Sequence, residues 1–254
     1  MIRSSRADLV ARNTYSPDLA YVHDQGFTTF AHRAAPELIR ILRRHGIRSG
    51  LIVDVGCGSA PLARPLLDAG YRVLGIDRSP SMIRLARASV PDATFRVASL
   101  TTARLPRCAA VIALNEIVSY VADPAGRLTG LSRFFAHVYD ALPPGGLLMF
   151  DFMASAEGRT YAGKSRAGAD WAVVVRSTRG PQPRMLTRHI TTFRKAGGEY
   201  RKTRETHRIT IYDPEAVRAA LRRRGFEVAI RRSYGRVRLL PGDVAIVARK
   251  CARS

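Results

Sequence analysis

The sequence predicts an α/β protein with a mostly parallel sheet, helices on both faces and a small antiparallel β insertion. Apolar runs alternate with helical patterns up to residue 153, which is typical of parallel strands joined by helices. Three strand-like segments then follow one another with no helix between them. A glycine-rich turn after the first apolar run and an acid after the second indicate a nucleotide site at the carboxyl ends of two parallel strands.

The first part of the chain predicts an arm, a helix and then five strands separated by helical segments. Residues 1–20 are polar and predict a loose arm, and residues 19–44 carry a helical pattern. Ser59 and Pro61 suit the cap and the first turn of the helix after the first strand, and Ser79 suits the cap of the next. The predicted strands are 51–55, 71–76, 93–98, 109–114 and 147–152.

The rest of the chain predicts consecutive strands before it returns to a helix. Residues 154–169 are small and polar and predict a loop, and Gly197-Gly198 is typical of a hairpin. Asp213 suits the cap of a helix that ends before Gly225. The predicted strands are 171–177, 185–193, 200–212, 226–230 and 244–247. The predicted parts are an N-terminal arm and lid helix (1–46), a sheet domain (47–153 and 213–250) and an antiparallel insertion (154–212).

The glycine-rich turn reads LIVDVGCGSA over residues 51–60, and Asp77 ends the next strand nineteen residues after Gly58. Glycines let a ligand approach the backbone closely, and a carboxylate in this position accepts hydrogen bonds from ribose hydroxyls. A dinucleotide fingerprint needs a third glycine where this chain has Pro61, so that fingerprint is not met. The alternative is an ordinary glycine-rich turn in another α/β domain.

The amino-acid composition bears on whether the protein is disulfide-bonded, metal-binding, membrane-spanning or nucleic-acid-binding. Three cysteines far apart, with no Cys-x-x-Cys, indicate neither a disulfide framework nor a metal site, and we expect a reduced cytoplasmic protein. No apolar run is long enough for a membrane helix, so no membrane partner is expected. The net charge is +22, from 42 basic and 20 acidic residues. Such a charge suggests either a nucleic-acid partner or a solvated basic surface, and the wide scatter of the arginines favours the surface.

With Asp54 two residues before the first glycine, the turn resembles the first motif of the class I S-adenosylmethionine-dependent methyltransferases, acid-x-Gly-x-Gly-x-Gly, with Ala60 at the last glycine. The resemblance covers residues 52–250 and is closest to small-molecule methyltransferases with an antiparallel insertion after the fifth strand. It includes GGLLMFD at 145–151, YRKTRETH at 200–207 and RGF at 224–226. It implies a Rossmann-like, mostly parallel seven-stranded sheet ending in a reversed hairpin. It also implies S-adenosyl-L-methionine as cofactor and S-adenosyl-L-homocysteine as product.

The resemblance also assigns contacts to the cofactor. It places Asp54, Gly56 and Gly58 at the methionine moiety, Asp77 at the ribose, Arg78, Met82, Ser99 and Leu100 at the adenine, and Asn115 near the methyl group. Ser99 stands where the family commonly has an acid for the adenine amino group. A hydroxyl can accept one hydrogen bond there but carries no charge.

Methyl transfer from a sulfonium requires the protein mainly to position the acceptor and to remove its proton. The candidate catalytic residues are Glu116 after the fourth strand, Tyr120 one helical turn later, and His207 on the insertion. His207 shares a strand face with Glu205, so the pair is either part of the site or an ordinary ion pair. The N-terminal helix, with its His23, is expected to act as a lid.

We therefore predict methyl transfer to nitrogen or oxygen of a small molecule, with no specific nucleic-acid partner. The sequence does not indicate the oligomeric state. One alternative is an RNA or DNA methyltransferase, which the charge suggests. Asn115 is followed by Glu116-Ile117 rather than by the Pro-Pro-Tyr of base-amine methylators, and Cys108 follows Arg107 rather than proline. A non-catalytic binding module is the other alternative, and the intact glycine turn with Asp77 disfavours it.

Overall fold

The computed structural model describes residues 15–123, 127–180 and 182–252. The helices are α1 (Pro17–Gly26), α2 (Thr29–Arg44), α3 (Ala63–Asp68), α4 (Pro80–Ser89), α5 (Thr129–Ala141) and α6 (Pro214–Arg223), with a 3-10 turn at Ile117–Tyr120. The strands are β1 (Gly50–Val55), β2 (Tyr71–Asp77), β3 (Thr94–Val97), β4 (Ala110–Ala113), β5 (Leu147–Met153), β6 (Tyr161–Ala167), β7 (Trp171–Arg179), β8 (Met185–Ala196), β9 (Glu199–Thr210), β10 (Phe226–Arg231), β11 (Ser233–Tyr234), β12 (Val237–Arg238) and β13 (Asp243–Lys250).

The main sheet has seven strands in the order β10-β13-β5-β4-β1-β2-β3. The pairings among β1 to β5 are parallel, and β13 runs antiparallel to both of its neighbours. The predicted Rossmann-like sheet with a reversed hairpin at its end is therefore confirmed. Because parallel strands end at the same edge, the turns after β1, β2 and β4 meet there.

The central strands are buried because helices cover both faces of the sheet. Val111 of β4 belongs to the core that α5 and α6 cover, whereas the next residue, Ile112, belongs to the core under α2, α3 and α4. Each fully buried side chain of this size stabilises the fold by roughly 1.5–3 kcal/mol. This two-sided burial makes the sheet a rigid support for the turns at its edge.

The second sheet is antiparallel, with the order β6-β7-β8-β9. Gly197 and Gly198 adopt φ of 62° and 87° in the tight turn between β8 and β9, as the hairpin prediction requires. The loop predicted over residues 154–169 is wrong in part, because β6 occupies Tyr161–Ala167 and pairs with β7. Its side chains are nearly all exposed, so backbone pairing rather than an apolar pattern forms this edge strand.

The single helix predicted over residues 19–44 is in fact two helices. The reason is that α1 packs on the insertion, where Leu19 and Val22 join the cluster around Trp171, whereas Leu38 of α2 packs on the main sheet. The chain must therefore turn between them. Residues 1–14 of the predicted arm lie outside the described residues. In the described part of the chain, no helix has the length and apolar character needed to span a membrane.

The helix caps were predicted with mixed success. Ser79 accepts a hydrogen bond from the Met82 amide, and Asp213 accepts one from the Glu215 amide, so both predicted caps are confirmed. The prediction for Ser59 and Pro61 is wrong, because α3 begins only at Ala63. Ala60 has a φ of 67°, and this left-handed conformation keeps the preceding residues out of the helix.

Gly75 in β2 provides a test of how tightly the sheet edge is packed. A Cβ atom at this position would lie 2.5 Å from the Phe95 ring and 2.8 Å from the Cys57 sulfur in the glycine turn. We expect Gly75→Ala to lower the free energy of unfolding by about 1–3 kcal/mol, because the core must move to admit a methyl group. The measurement is urea unfolding.

The matched control is Gly163→Ala, in the exposed strand β6. A Cβ there meets only Val174, at 4.0 Å, so stability should be unchanged or slightly higher. Equal effects of the two substitutions would contradict the packing argument.

Candidate active site

Two adjoining cavities lie at the carboxyl ends of β1, β2 and β4. The larger has a volume of about 1010 Å³ and the smaller about 70 Å³. Gly56, Asp77, Ile117 and Tyr120 line both, so the two cavities form one continuous site. All nine predicted cofactor residues lie on their walls. Arg78, Ser99 and Leu100 line the larger cavity, Asp54, Gly58, Met82 and Asn115 line the smaller, and Gly56 and Asp77 line both.

Asp77 holds the glycine turn in place. Gly56 and Gly58 adopt φ of 73° and 56°, which favours glycine at both positions. The Gly58 amide donates to Asp77 Oδ2 at 3.0 Å, and the Ser79 amide donates to Asp77 Oδ1 at 2.8 Å. A carboxylate has about four acceptor sites, so Asp77 retains capacity for ribose hydroxyls after these two bonds.

Asp54 is a buried acid beneath the smaller cavity. It is only 3% exposed. Burial, with a smaller contribution from the negative charge of Asp77, raises the pKa of Asp54 to about 7. The group is therefore poised to ionise when a positive charge comes near.

The turn after β4 is strained and is held by a second buried carboxylate. Asn115 and Glu116 have φ of 62° and 59°, and each left-handed residue of this kind costs roughly 1–2 kcal/mol. Their amides donate to Asp151 at 3.2 Å and 2.6 Å, and the Tyr234 hydroxyl donates to the same carboxylate at 3.3 Å. Asp151 therefore fixes the direction in which this turn enters the site.

The Glu116 side chain is occupied by two arginines. Arg159 and Arg188 both form ion pairs with it, the second at 2.9 Å, and Arg159 also pairs with Asp243 at 2.9 Å. Burial alone would raise the pKa of Glu116, but the charges of Arg188 and Arg159 hold it below its ordinary value. A carboxylate in this setting takes up a proton poorly. These contacts favour a positioning role for Glu116, between the β4 turn and the insertion.

Tyr120 and His207 do come together, as predicted, but His207 does not line either cavity. His207 is fully buried, and its ring centroid lies 5.7 Å from that of Tyr120 and 5.3 Å from that of Tyr15. Tyr15 lines the smaller cavity, and burial together with the neighbouring Tyr120 raises the pKa of Tyr15 well above its ordinary value. Both tyrosines thus line the smaller cavity and pack against the histidine, and Tyr15 keeps its proton at neutral pH.

His23 of the predicted lid also faces the smaller cavity. Its ring lies 5.2 Å from Tyr15, and burial lowers the pKa of His23 to about 4. It is therefore neutral at neutral pH and a weak base. Helix α1 is tied to the insertion by ion pairs from Asp18 to Arg194 at 3.5 Å and to Arg201 at 2.5 Å.

Several residues of the site were missed by sequence reasoning. Tyr15 lies in a segment that reads as a polar arm, and Asp151 and Arg159 lie in a strand and a loop with no motif of their own. The acid in the GGLLMFD segment was the one available signal for Asp151. The roles of Tyr15 and Arg159 depend on contacts between segments that are distant in sequence, so a local sequence pattern cannot predict them.

Comparison with known proteins identifies the family. The family described as "Methyltransferase domain" matches residues 27–229, most of the chain. The protein belongs to this methyltransferase family. The predicted family is thereby confirmed, and the alternatives of a nucleic-acid enzyme and a non-catalytic module are not favoured.

Individual relatives agree with the family. The dTDP-3-amino-3,6-dideoxy-alpha-D-glucopyranose N,N-dimethyltransferase of Streptomyces fradiae is 28% identical over 222 residues, 84% of this chain and 86% of the relative. A sugar N-methyltransferase from Streptoalloteichus sp. has the same fold, with a TM-score of 0.75, 22% identity and 99% of each chain covered. An S-adenosylmethionine-bound amino pentose methyltransferase from Micromonospora echinaspora has a TM-score of 0.70 and 22% identity, with 91% of this chain and 94% of the other covered.

The methyltransferase uses S-adenosylmethionine and acts on a small molecule. Its residues fit that cofactor chemically. The cofactor carries a sulfonium and an ammonium group, and Asp54 and Asp77 place two buried carboxylates along the site. Gly56 and Gly58 leave the backbone of the turn open to close approach.

The pKa of Asp54 leads to a prediction about cofactor binding. A cationic cofactor favours the ionised acid, so binding should lower the pKa from about 7 and release a proton. Because the cofactor favours the ionised acid, the affinity for the cofactor should rise with pH and level off above pH 7. Below pH 7 the affinity should change by up to about tenfold per pH unit. Calorimetry in two buffers of different ionisation enthalpy would measure both the affinity and the released proton.

Asp54→Asn should abolish the proton release and flatten the pH dependence. The control is Asp140→Asn, at an exposed position on α5, which should behave like the wild type. Identical pH dependence in Asp54→Asn and the wild type would contradict the assignment of Asp54 to the cofactor.

Proposed function

We propose that the methyltransferase transfers a methyl group to the amino group of a sugar carried on a nucleoside diphosphate. The observation that carries the proposal is the basic wall of the larger cavity. Arg133 and Arg208 line it, and the S. fradiae relative acts on an acceptor of this kind. Arginine is well suited to a diphosphate because its planar guanidinium donates two parallel hydrogen bonds.

The surroundings of these arginines support an anionic acceptor. Among the described residues lining the larger cavity, Asp77 is the sole acid, and it is assigned to the ribose of the cofactor. Thr129 and Gly130, the first residues of α5, lie on the same wall as Arg133. The start of a helix carries a partial positive charge that adds to the attraction for a phosphate.

The roles of the catalytic residues follow from this pose. The bound cofactor supplies the methyl group, and displacement in line with the sulfonium bond needs the acceptor held at the right distance. Tyr120, with Tyr15, would hold the amine at the junction of the two cavities, and His207 behind them would receive its proton. Glu116 would hold the β4 turn through its arginines rather than act as a base.

Two further proposals concern nucleic-acid binding and the location of the protein in the cell. We propose that the basic surface has no specific nucleic-acid partner, which the scatter of 42 basic residues along the chain supports. We also propose a cytoplasmic location. Cys57, Cys108 and Cys251 are free thiols in the structure, as expected of a protein in a reducing compartment.

The test is methyl transfer from labelled cofactor to a panel of acceptors. The panel contains nucleotide-linked 3-amino and 4-amino sugars, the corresponding hydroxy sugars, the free amino sugars and total RNA. We expect label on a nucleotide-linked amino sugar and no label on RNA. Transfer to the hydroxy sugars alone would shift the function to oxygen, and transfer to RNA would overturn the proposal.

Arg133 provides a sharper test of the diphosphate. Arg133→Ala should lower kcat/KM for the nucleotide-linked acceptor by about 10–150-fold, the value of one charge-assisted hydrogen bond of about 1.5–3 kcal/mol. Cofactor affinity should not change, because Arg133 is not among the residues assigned to the cofactor. The control is Arg223→Ala, at an exposed position on α6. Equal losses with the nucleotide-linked and the free amino sugar would contradict a role in holding phosphate.

A further inference from the structure

One peptide group links the cofactor side of the site to the buried His207. The Ser79 hydroxyl donates to the Tyr15 carbonyl at 2.8 Å, and the Ser16 amide donates to Glu205 Oε1 at 2.8 Å. That carbonyl and that amide belong to the same peptide bond. The N-terminal segment therefore bridges the cap of α4 and the carboxylate beside His207.

Glu205 and His207 form a buried pair on one face of β9. Glu205 is 4% exposed, and its Oε2 lies 2.9 Å from Nε2 of His207. An ionised carboxylate only accepts hydrogen bonds, so the proton in this contact belongs to Nε2. The other ring nitrogen, Nδ1, is buried and has no hydrogen-bond partner among the described residues. In the neutral ring Nδ1 then carries a free electron pair.

The groups around His207 leave this electron pair available. Tyr15 and Tyr120 pack against the ring, His23 lies near it, and Arg188 stands opposite on β8. Arg188 forms an ion pair with Glu116 of the β4 turn, which neutralises its charge. The hydroxyls of Tyr15 and Tyr120 interact with each other, and both residues line the smaller cavity.

We propose that Glu205 is a positioning residue that keeps the imidazole proton on Nε2 of His207, so that Nδ1 receives the proton that the acceptor amine releases. This inference rests on the proposed function. The lone pair of the amine nitrogen would form the bond to the methyl carbon, while the sulfur–methyl bond breaks and leaves its electron pair on the sulfur of the S-adenosyl-L-homocysteine product. The N–H bond of the amine then breaks, and its electron pair stays on nitrogen. The proton passes to the Tyr120 oxygen while Tyr120 gives its own proton to Nδ1. This step requires a shift of the Tyr120 side chain towards the ring, because Nδ1 makes no hydrogen bond with the described residues. The resulting imidazolium is stabilised by Glu205.

Glu205→Gln tests this directly, because the Ser16 amide fixes how a glutamine would sit. The Ser16 N–H still needs an acceptor, so the amide oxygen should take the place of Oε1. The NH₂ group then faces Nε2 of His207 and can only donate to it. Nε2 must become the acceptor, and the ring proton moves to Nδ1. The substitution therefore inverts the tautomer with almost no change of volume.

The readout is nitrogen NMR of the histidine side chains in the cofactor-bound full-length protein. The chain has six histidines, and the His207 signals are assigned by their loss in His207→Asn. We expect the Nε2–H form in the wild type and the Nδ1–H form in Glu205→Gln. Turnover on the amino sugar should fall by about 10²–10⁴-fold in Glu205→Gln, with unchanged cofactor affinity. The control is Glu199→Gln, at an exposed position on the same strand.

An Nδ1–H tautomer in the wild type would overturn the proposal even if Glu205→Gln failed to fold. An unchanged tautomer in a folded Glu205→Gln would do the same, as would turnover within tenfold of the wild type. The tautomer is measured without any acceptor. Absence of methyl transfer to amino sugars would therefore count against the proposed function and leave the tautomer result intact.

Discussion

The carboxylate of Asp77 joins the turn after β1 to the start of α4. It accepts hydrogen bonds from Gly58 in the turn after β1 and from Ser79 at the start of α4, and it lines both cavities. Through Ser79 the same contacts extend to the carbonyl of Tyr15. The position of the glycine turn, of α4 and of the N-terminal segment thus depends on one buried acid. Ligand binding and the shape of the site are coupled at this point.

Asp151 stabilises the turn after β4 by accepting hydrogen bonds from its backbone amides, as Asp77 stabilises the glycine turn. Without its two hydrogen bonds, the left-handed conformations of Asn115 and Glu116 would have no compensation. A strained turn held in this way has few alternative conformations, because relaxing it would take two backbone donors from a buried carboxylate. Tyr120 follows this turn directly. Its place at the junction of the cavities is therefore set by the end of β5 rather than by its own helical turn.

Local sequence patterns predicted correctly those elements that depend mainly on interactions between residues close in sequence. The strands of the main sheet, the Ser79 and Asp213 caps and the Gly197-Gly198 turn follow from apolar runs, capping hydroxyls or carboxylates and glycine conformation. The same reasoning failed at β6, whose exposed side chains have no apolar pattern, and at the break between α1 and α2, which depends on what each helix covers. The cofactor contacts stay a prediction of the family resemblance, and the residues concerned line the two cavities. The sequence did not predict the partners of Glu116, since Arg159 and Arg188 reach it only in the folded chain.

The net charge of +22 becomes informative only when the arginines are placed in the structure. Arg159 and Arg188 are buried and paired with Glu116 and Asp243, so they hold elements together and leave little field outside. Arg133, in contrast, lies on a cavity wall whose sole acid among the described lining residues is assigned to the cofactor. A charge on a cavity wall acts on whatever enters the cavity. The position of a few arginines, rather than their total, is therefore what supports the proposal of an anionic small molecule as the acceptor.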